Sequence, residues 1–179
     1  VYLSRSHGVF TDMLVAGPGE SGISAQNDSS LVLERSHLTH QKSAVLLGDE
    51  QSATMNHGIL EHVQITHSSL KGVHIANSSL SAHRLKVAKS GYGMVISGPD
   101  ASVLLNQVQL ESSIGKTLYD QDTKTRYFSN GVGLLAHDGS EAYLFKSRLR
   151  HNNYANLVVI GDNTLVELSD VSLDPSGKD

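Results

Sequence analysis

The sequence has 179 residues, with no cysteine, no tryptophan and three prolines. Without cysteine it has no disulfide framework, no thiolate metal site and no cysteine nucleophile. Without tryptophan it has no indole platform for stacking a sugar. No apolar run approaches the roughly 20 residues of a membrane-spanning helix. The formal net charge is only -4, from 14 Lys and Arg against 18 Asp and Glu, which argues against a nucleic-acid partner.

The rest of the composition is typical of a folded domain. The chain is 39% hydrophobic and 18% charged, so it can bury a core, and its length predicts a single domain over residues 1–179. It begins Val1-Tyr2-Leu3 without an initiator Met and ends just after an apolar segment. We therefore expect a fragment of a longer protein, with further coils or domains of the same chain as partners at both ends.

A short apolar segment recurs along the chain at nearly constant spacing. The last apolar residues of the six copies are Leu38, Ile65, Val87, Leu110, Leu149 and Leu173. The steps between these markers are 27, 22, 23, 39 and 24 residues. Five residues before the markers come Leu33, Leu60, Ala82, Leu105, Leu144 and Leu168, and the positions two and seven before are also mostly small or apolar. Self-similarity at such a period indicates a repeat architecture.

A second apolar column keeps the same phase. Its copies are Gly22-Ile23-Ser24-Ala25, Ala44-Val45-Leu46-Leu47, Gly72-Val73-His74-Ile75, Gly93-Met94-Val95-Ile96, Gly133-Leu134-Leu135-Ala136 and Asn156-Leu157-Val158-Val159. Turn residues follow each copy, as in Asn27-Asp28, Gly48-Asp49, Asn77-Ser78, Gly98-Pro99-Asp100, Asp138-Gly139 and Gly161-Asp162-Asn163. Two columns with one period predict equivalent structural units.

The spacing inside each unit predicts strands stacked as coils. Apolar residues alternate with period two, which is typical of strands, and no segment keeps a period of 3.6. Three short strands in ~22–24 residues leave no room for the dozen or more residues of a helical crossover. Stacked coils solve this, because each strand pairs with its equivalent one turn away, about 4.8 Å along the axis. An antiparallel sandwich is the alternative, but it does not require the columns to stay in phase.

The repeated Leu-x-Leu-x-x-Val-x-Leu and Gly-Val-x-Ile patterns, over roughly residues 8–173, resemble bacterial proteins of the pectate-lyase-like superfamily. The resemblance implies an all-β, right-handed parallel β-helix of about six to seven coils with little helix. It also implies a secreted or cell-surface protein. Relatives of this fold include polysaccharide lyases, hydrolases, sugar epimerases and phage tailspikes, so an anionic polysaccharide or cell-surface glycan is the partner that the resemblance suggests.

Two columns between the apolar positions carry basic residues. We expect them to share one strand face, where Arg35, Arg84, Lys86, Lys146 and Arg148 would form a cationic stripe that could hold an anionic polymer. The simpler interpretation is that exposed strands need solubilising charges. In a third column, His40 and His67 should be neighbours on adjacent coils, but the next member is Lys89, so we expect no metal site.

The step of 39 residues marks an insertion at about 111–131. Loops on a rigid scaffold often carry function. The candidate ligand contacts are Lys116, Tyr119, Lys124, Arg126 and Tyr127, where tyrosines would stack on a sugar and basic groups would pair with its carboxylates. Asp120 and Asp122 are the candidate acid and base if the protein is an enzyme. The simpler interpretation is a surface hairpin packing Leu118 and Phe128 onto the coil.

Signatures of catalysis are weak elsewhere. Asn56-His57-Gly58 and Arg84-Leu85-Lys86 partly match hydrolases of this fold, but no paired Asp lies near either. The sequence has no phosphate loop, no Gly-x-Ser-x-Gly and no His-Glu-x-x-His, so we expect no cofactor. We therefore predict a non-catalytic scaffold of a secreted or cell-surface bacterial protein, which contacts polysaccharide. A polysaccharide-active lyase, hydrolase or epimerase using the 111–131 loop is the alternative, and a mechanical spacer is a third.

Overall fold

The chain winds into a parallel β-solenoid of seven coils. The computed structural model describes residues 1–49, 51, 54–114, 116–119, 126–129 and 131–175, with 116–119 and 126–129 described by their backbone. These residues form strands and turns and no helix. Three seven-stranded parallel sheets run along the solenoid, and each coil contributes one strand to each sheet. The predicted all-β parallel solenoid is confirmed, whereas its right-handed winding stays an implication of the resemblance.

The strands are numbered in chain order. Sheet A contains β1 (Tyr2–Ser4), β4 (Ser21–Gln26), β7 (Ser43–Leu47), β10 (Lys71–Ala76), β13 (Tyr92–Ser97), β18 (Val132–His137) and β21 (Ala155–Ile160). Sheet B contains β2 (His7–Thr11), β5 (Ser30–Glu34), β8 (His57–Glu61), β11 (Ser79–His83), β14 (Ser102–Asn106), β19 (Glu141–Phe145) and β22 (Leu165–Ser169). Sheet C contains β3 (Leu14–Ala16), β6 (His37–Thr39), β9 (Gln64–Thr66), β12 (Lys86–Ala88), β15 (Gln109–Glu111), β20 (Arg148–Arg150) and β23 (Ser172–Leu173).

The predicted apolar columns are interior ladders. The row five residues before the markers runs in register through five adjacent coils as Leu33, Leu60, Ala82, Leu105 and Leu144. Each of these side chains is at most 1% exposed. The second column forms the inward positions of sheet A in the same way, as in the row Val45, Val73, Met94 and Leu134. Burial of these rows removes apolar surface from water in every coil, which is the main stabilising contribution.

The chain turns between sheets through residues with positive φ. Between sheets B and C, which we name the B–C corner, one such residue stands in every coil, with φ from 44° to 57°: Asp12, Arg35, His62, Arg84, Gln107, Lys146 and Asp170. A left-handed backbone costs a non-glycine residue about 1–2 kcal/mol. In the first six of these coils the N–H of the corner residue donates to the next coil, as when Arg84 N donates to Asn106 O over 3.0 Å. A single residue can therefore bend the chain without leaving a buried donor unpaired.

Buried hydroxyls complete these corners. The Ser147 Oγ donates to Phe145 O over 2.8 Å and accepts from Val108 N, one coil earlier, over 3.1 Å. The Ser36 Oγ makes the same pair of bonds with Glu34 O and Met13 N. Each hydroxyl thus bonds a carbonyl of its own bend and an N–H of the preceding coil. This explains why serine can replace an apolar residue two positions before the marker.

The insertion leaves the stack intact. Within it, β16 (Lys116–Tyr119) pairs with β17 (Arg126–Ser129) as an antiparallel hairpin. On either side of the hairpin, β13 still pairs with β18 and β15 with β20 in the common register. The insertion therefore lies between sheets C and A as an addition to one coil.

Among the described residues no helix could span a membrane.

Candidate binding groove at the B–C corner

The two basic columns do not share a strand face, so that prediction is wrong. Arg84 and Lys146 occupy the positive-φ position at the B–C corner, after the strands of sheet B have ended. Lys86 and Arg148 are the first residues of β12 and β20 in sheet C. The residue with positive φ turns the chain, so the first column lies at the bend and the second begins the strands of sheet C two residues later.

A shallow groove runs along this bend. One cavity of about 380 Å³ spans three coils and is lined by Gln107, Val108, Gln109, Lys146, Ser147, Arg148, Asp170, Val171 and Ser172. A second, of about 250 Å³, is lined by Arg84, Leu85, Lys86 and the same two glutamines. Because Gln107 and Gln109 line both cavities, the two lie next to each other along the solenoid axis. We name the two cavities together, from Arg84 to Ser172, the corner groove.

Acidic partners neutralise much of the predicted cationic stripe. Arg35 binds both carboxylate oxygens of Asp12 over 2.9 Å. Arg148 donates to the Asp174 carboxylate, with its Nε 2.7 Å from Oδ2. Lys86 Nζ lies 2.6 Å from Glu111 Oε1. Three of the five stripe residues are therefore committed to ion pairs within the protein.

The carboxylates of these pairs are held in the charged form. Hydrogen bonds from Arg35 to Asp12 lower the pKa of that carboxyl group. Hydrogen bonds from Ser172 and Arg148 lower the pKa of Asp174. Burial raises the pKa of Glu111, but hydrogen bonds from Lys86 and Arg150 outweigh this effect and bring it below its usual value. The three carboxylates are thus charged at neutral pH.

Arg84 and Lys146 are the stripe cations without an ion pair to a carboxylate among the described residues. The Arg84 guanidinium donates instead to Gln107 Oε1 over 3.1 Å and contacts His62 Nε2 at 2.7 Å. Both cations are exposed and stand two coils apart, with Gln107 between them on the same column. The corner groove therefore presents a cation, an amide and a second cation in succession along the axis.

The predicted histidine neighbours stack on one another. The rings of His40 and His67 lie with centroids 5.0 Å apart and planes 2° from parallel. Two imidazoles alone fall short of the three or four protein ligands of a zinc site. Among the described residues, no group of three or more His, Asp or Glu side chains is arranged to hold a metal ion.

The candidate residues of the insertion are only partly placed. Asp120, Asp122 and Lys124 lie outside the described residues. The backbone of Lys116 and Tyr119 belongs to β16 and that of Arg126 and Tyr127 to β17, with Tyr119 paired to Arg126. Their proposed contacts with a glycan, and catalysis by the two aspartates, stay predictions.

Sequence reasoning missed the part that neutral residues play in the groove. Gln107 and Gln109 were not among the candidate site residues, yet they line both cavities. Their position two residues apart at the same corner as Arg84 and Lys86 was the available signal. The ion pairs Lys86–Glu111 and Arg148–Asp174 were also missed, because in each pair the carboxylate lies in another column and on the next coil from its cation.

A scan against protein-family models, a search of curated proteins and a search of solved structures each found no match.

Proposed function

We propose that this protein is a non-catalytic β-solenoid scaffold that contacts an extended anionic polysaccharide along the corner groove. The observation that carries the proposal is the unneutralised pair Arg84 and Lys146, which flanks Gln107 in this groove. In this role the protein is a secreted or cell-surface protein of bacterial type, related to the pectate-lyase-like superfamily.

The repeat of the groove supports a linear polymer as the ligand. Equivalent residues of adjacent coils are separated by about 4.8 Å, which is close to the length of one sugar unit in an extended chain. Arg84 and Lys146, two coils apart, are then about 10 Å from each other at the backbone. In a chain with two-fold symmetry, that is the spacing of carboxylates on the same side. Gln107 would meet the hydroxyls of the sugar between them.

The lining of the groove supports binding without cleavage. Glycoside hydrolysis normally needs two carboxyl groups on opposite sides of the scissile bond. Among the described residues that line the corner groove, Asp170 is the only carboxylate. The enzymatic alternative would have to draw on Asp120 and Asp122 of the insertion.

The test is binding of a polyuronate, compared with a neutral glucan of similar length, by isothermal titration calorimetry. We expect binding of the polyuronate, weakened at least tenfold in the double variant Arg84→Ala and Lys146→Ala, which corresponds to about 1.4 kcal/mol. Arg35→Ala is the matched control, because that arginine stands in the same column but is paired with Asp12. Binding that the double variant leaves unchanged would contradict the proposal, as would release of shorter chains from the polymer by the wild-type protein.

A further inference from the structure

A histidine at the B–C corner touches one of the two cations on which the proposed function depends. His62 has the same positive-φ position as Arg84, on the preceding coil, with a φ of 56°. The Arg84 Nη1 lies 2.7 Å from His62 Nε2. A guanidinium can only donate hydrogen bonds, so His62 Nε2 accepts and the imidazole of this arrangement is neutral. The hydrogen bond therefore exists only while His62 carries no charge.

Charged and titratable groups face His62 from three adjacent coils: Glu34 and Arg35, then Glu61, then His83 and Arg84. The Glu61 Oε1 lies 3.7 Å from His62 Nδ1. The His83 ring stands edge-on to the His62 ring, with the centroids 6.0 Å apart. Arg35 is already bound to Asp12. Among the described residues, the only ion-pair partner of Glu61 is thus His62.

A proton on His62 would change this cluster in three ways that all favour a bound polyanion. The charged imidazole has no lone pair left for Arg84, so that guanidinium is free to turn toward a ligand. The same imidazole pairs with Glu61, whose charge otherwise repels an anionic chain. It also adds a third cation to Arg84 and Lys146 along the B–C corner. A bound anion in turn relieves the repulsion between neighbouring cations, so the proton and the polymer strengthen each other's binding.

We propose that His62 makes the corner groove a pH-dependent site, which binds an anionic polysaccharide more tightly in mild acid. This inference rests on the proposed function and adds a regulation of the same site. Histidine ordinarily changes its charge between about pH 5 and 8. The carboxylates of a polyuronate resemble ordinary carboxyl groups, which titrate near about pH 4. The affinity therefore rises as pH falls from 7.5 to 5.5, because the protein gains positive charge while the polymer stays negative.

The B–C corner itself shows which substitutions its backbone accepts. Gln107 and Lys146 stand at the equivalent position, with φ of 57° and 46°. His62→Gln is therefore compatible with the bend and is neutral at every pH, whereas His62→Lys is compatible and carries a permanent charge. His57→Gln is the matched control, because His57 begins the same strand at the opposite edge of sheet B.

Isothermal titration calorimetry with a polyuronate at pH 7.5 and 5.5, at one salt concentration, tests the inference. We expect the wild type and His57→Gln to bind about threefold more tightly at pH 5.5, which is the size of effect that one exposed charge produces. His62→Gln should lose most of this change. His62→Lys should bind at pH 7.5 as tightly as the wild type does at pH 5.5. Circular dichroism at both pH values checks that each variant is folded.

The outcomes separate this inference from the proposed function. If the wild type binds the polyuronate equally at the two pH values, or if His62→Gln keeps the wild-type pH dependence, the role of His62 is overturned while the groove remains a binding site. If neither the wild type nor His62→Lys binds the polyuronate at either pH, the proposed function is overturned, and this inference with it.

Discussion

At the scale of single residues, His74 shows what the sheet A environment does to a titratable group. Its side chain points out of sheet A, in the row of Leu46 and Val95, but is only 7% exposed. The Lys71 ammonium lies 3.2 Å from its Nδ1. Burial, then the charges of Lys71 and His137, lower the pKa of His74 to about 3, while Asp49 acts weakly in the other direction. His74 is thus neutral in the folded protein over the whole physiological range.

The His74 environment predicts loss of stability in mild acid. Below its usual value of 6.5, the imidazole binds a proton in the unfolded chain but not in the folded one until about pH 3. The free energy of unfolding should therefore fall as pH falls through this window, by about 2 kcal/mol at pH 5. Urea denaturation at several pH values between 5 and 7.5 gives the free energy of unfolding as a function of pH. This free energy should depend less on pH in His74→Leu than in the wild type. An equal pH dependence of the free energy of unfolding in wild type and His74→Leu would contradict the assignment.

The left-handed corner residues predict a second effect at this scale. Gln107 and Gln109 are both exposed and two residues apart, but Gln107 has a φ of 57° whereas Gln109 begins a strand. A β-branched side chain is poorly compatible with positive φ, so Gln107→Val should cost about 1–2 kcal/mol. Gln109→Val should cost little, since valine favours strands. Chemical denaturation of both variants measures the difference, and equal costs would show that the corner is not strained.

At the scale of a strand, β14 separates interior from surface within two adjacent residues. Leu105 lies in an interior ladder with no exposed surface, next to Ala82, while Leu104 is 47% exposed on the outer face of sheet B. Ala82 is small, and its ladder neighbours Leu60 and Leu105 are both fully buried. The strand thus contributes one leucine to the core and one to the surface.

Truncation of the two leucines should differ sharply. Leu105→Ala leaves a cavity between two coils and should lower the free energy of unfolding by about 2–5 kcal/mol. Leu104→Ala, measured at low micromolar protein, should change it by less than about 0.5 kcal/mol. Thermal and urea denaturation give both values. A comparable cost at the two positions would be incompatible with the inward and outward assignment of β14.

Strands and corners also mark where sequence reasoning succeeds and where it stops. The period of two located the strands and their inward residues, because burial selects apolar side chains at alternate positions. The corner from sheet A to sheet B was visible too, since Gly48, Asn77 and Gly98 are typical turn residues with positive φ. The corners from sheet B to sheet C and from sheet C to sheet A were not predicted, because residues such as Arg84 and Lys89 are not typical of a left-handed backbone. Assigning Arg84 and Lys146 to a strand face was the consequence.

At the scale of the whole molecule, the solenoid follows from the repeat because each coil needs only its neighbours. Register was predictable from equivalent columns, and the observed pairing of Leu33, Leu60 and Ala82 is that register. Contacts across columns were not predictable. The buried Glu111, for example, pairs with Lys86, which stands in a different column on the preceding coil, and the period does not predict that contact, although it does align Glu111 with its second partner, Arg150. Surface features such as the corner groove likewise depend on the path of the chain between strands.

The hairpin between β15 and β18 has a consequence for how such a chain can change. Its ends leave and re-enter the stack without altering the pairing on either side. Closing a longer excursion costs little entropy, about 0.6 kcal/mol for each doubling of its length. Evolution or an engineer can therefore exchange this segment for a peptide of another size, a grafted epitope for example, while the seven coils keep their strand pairing.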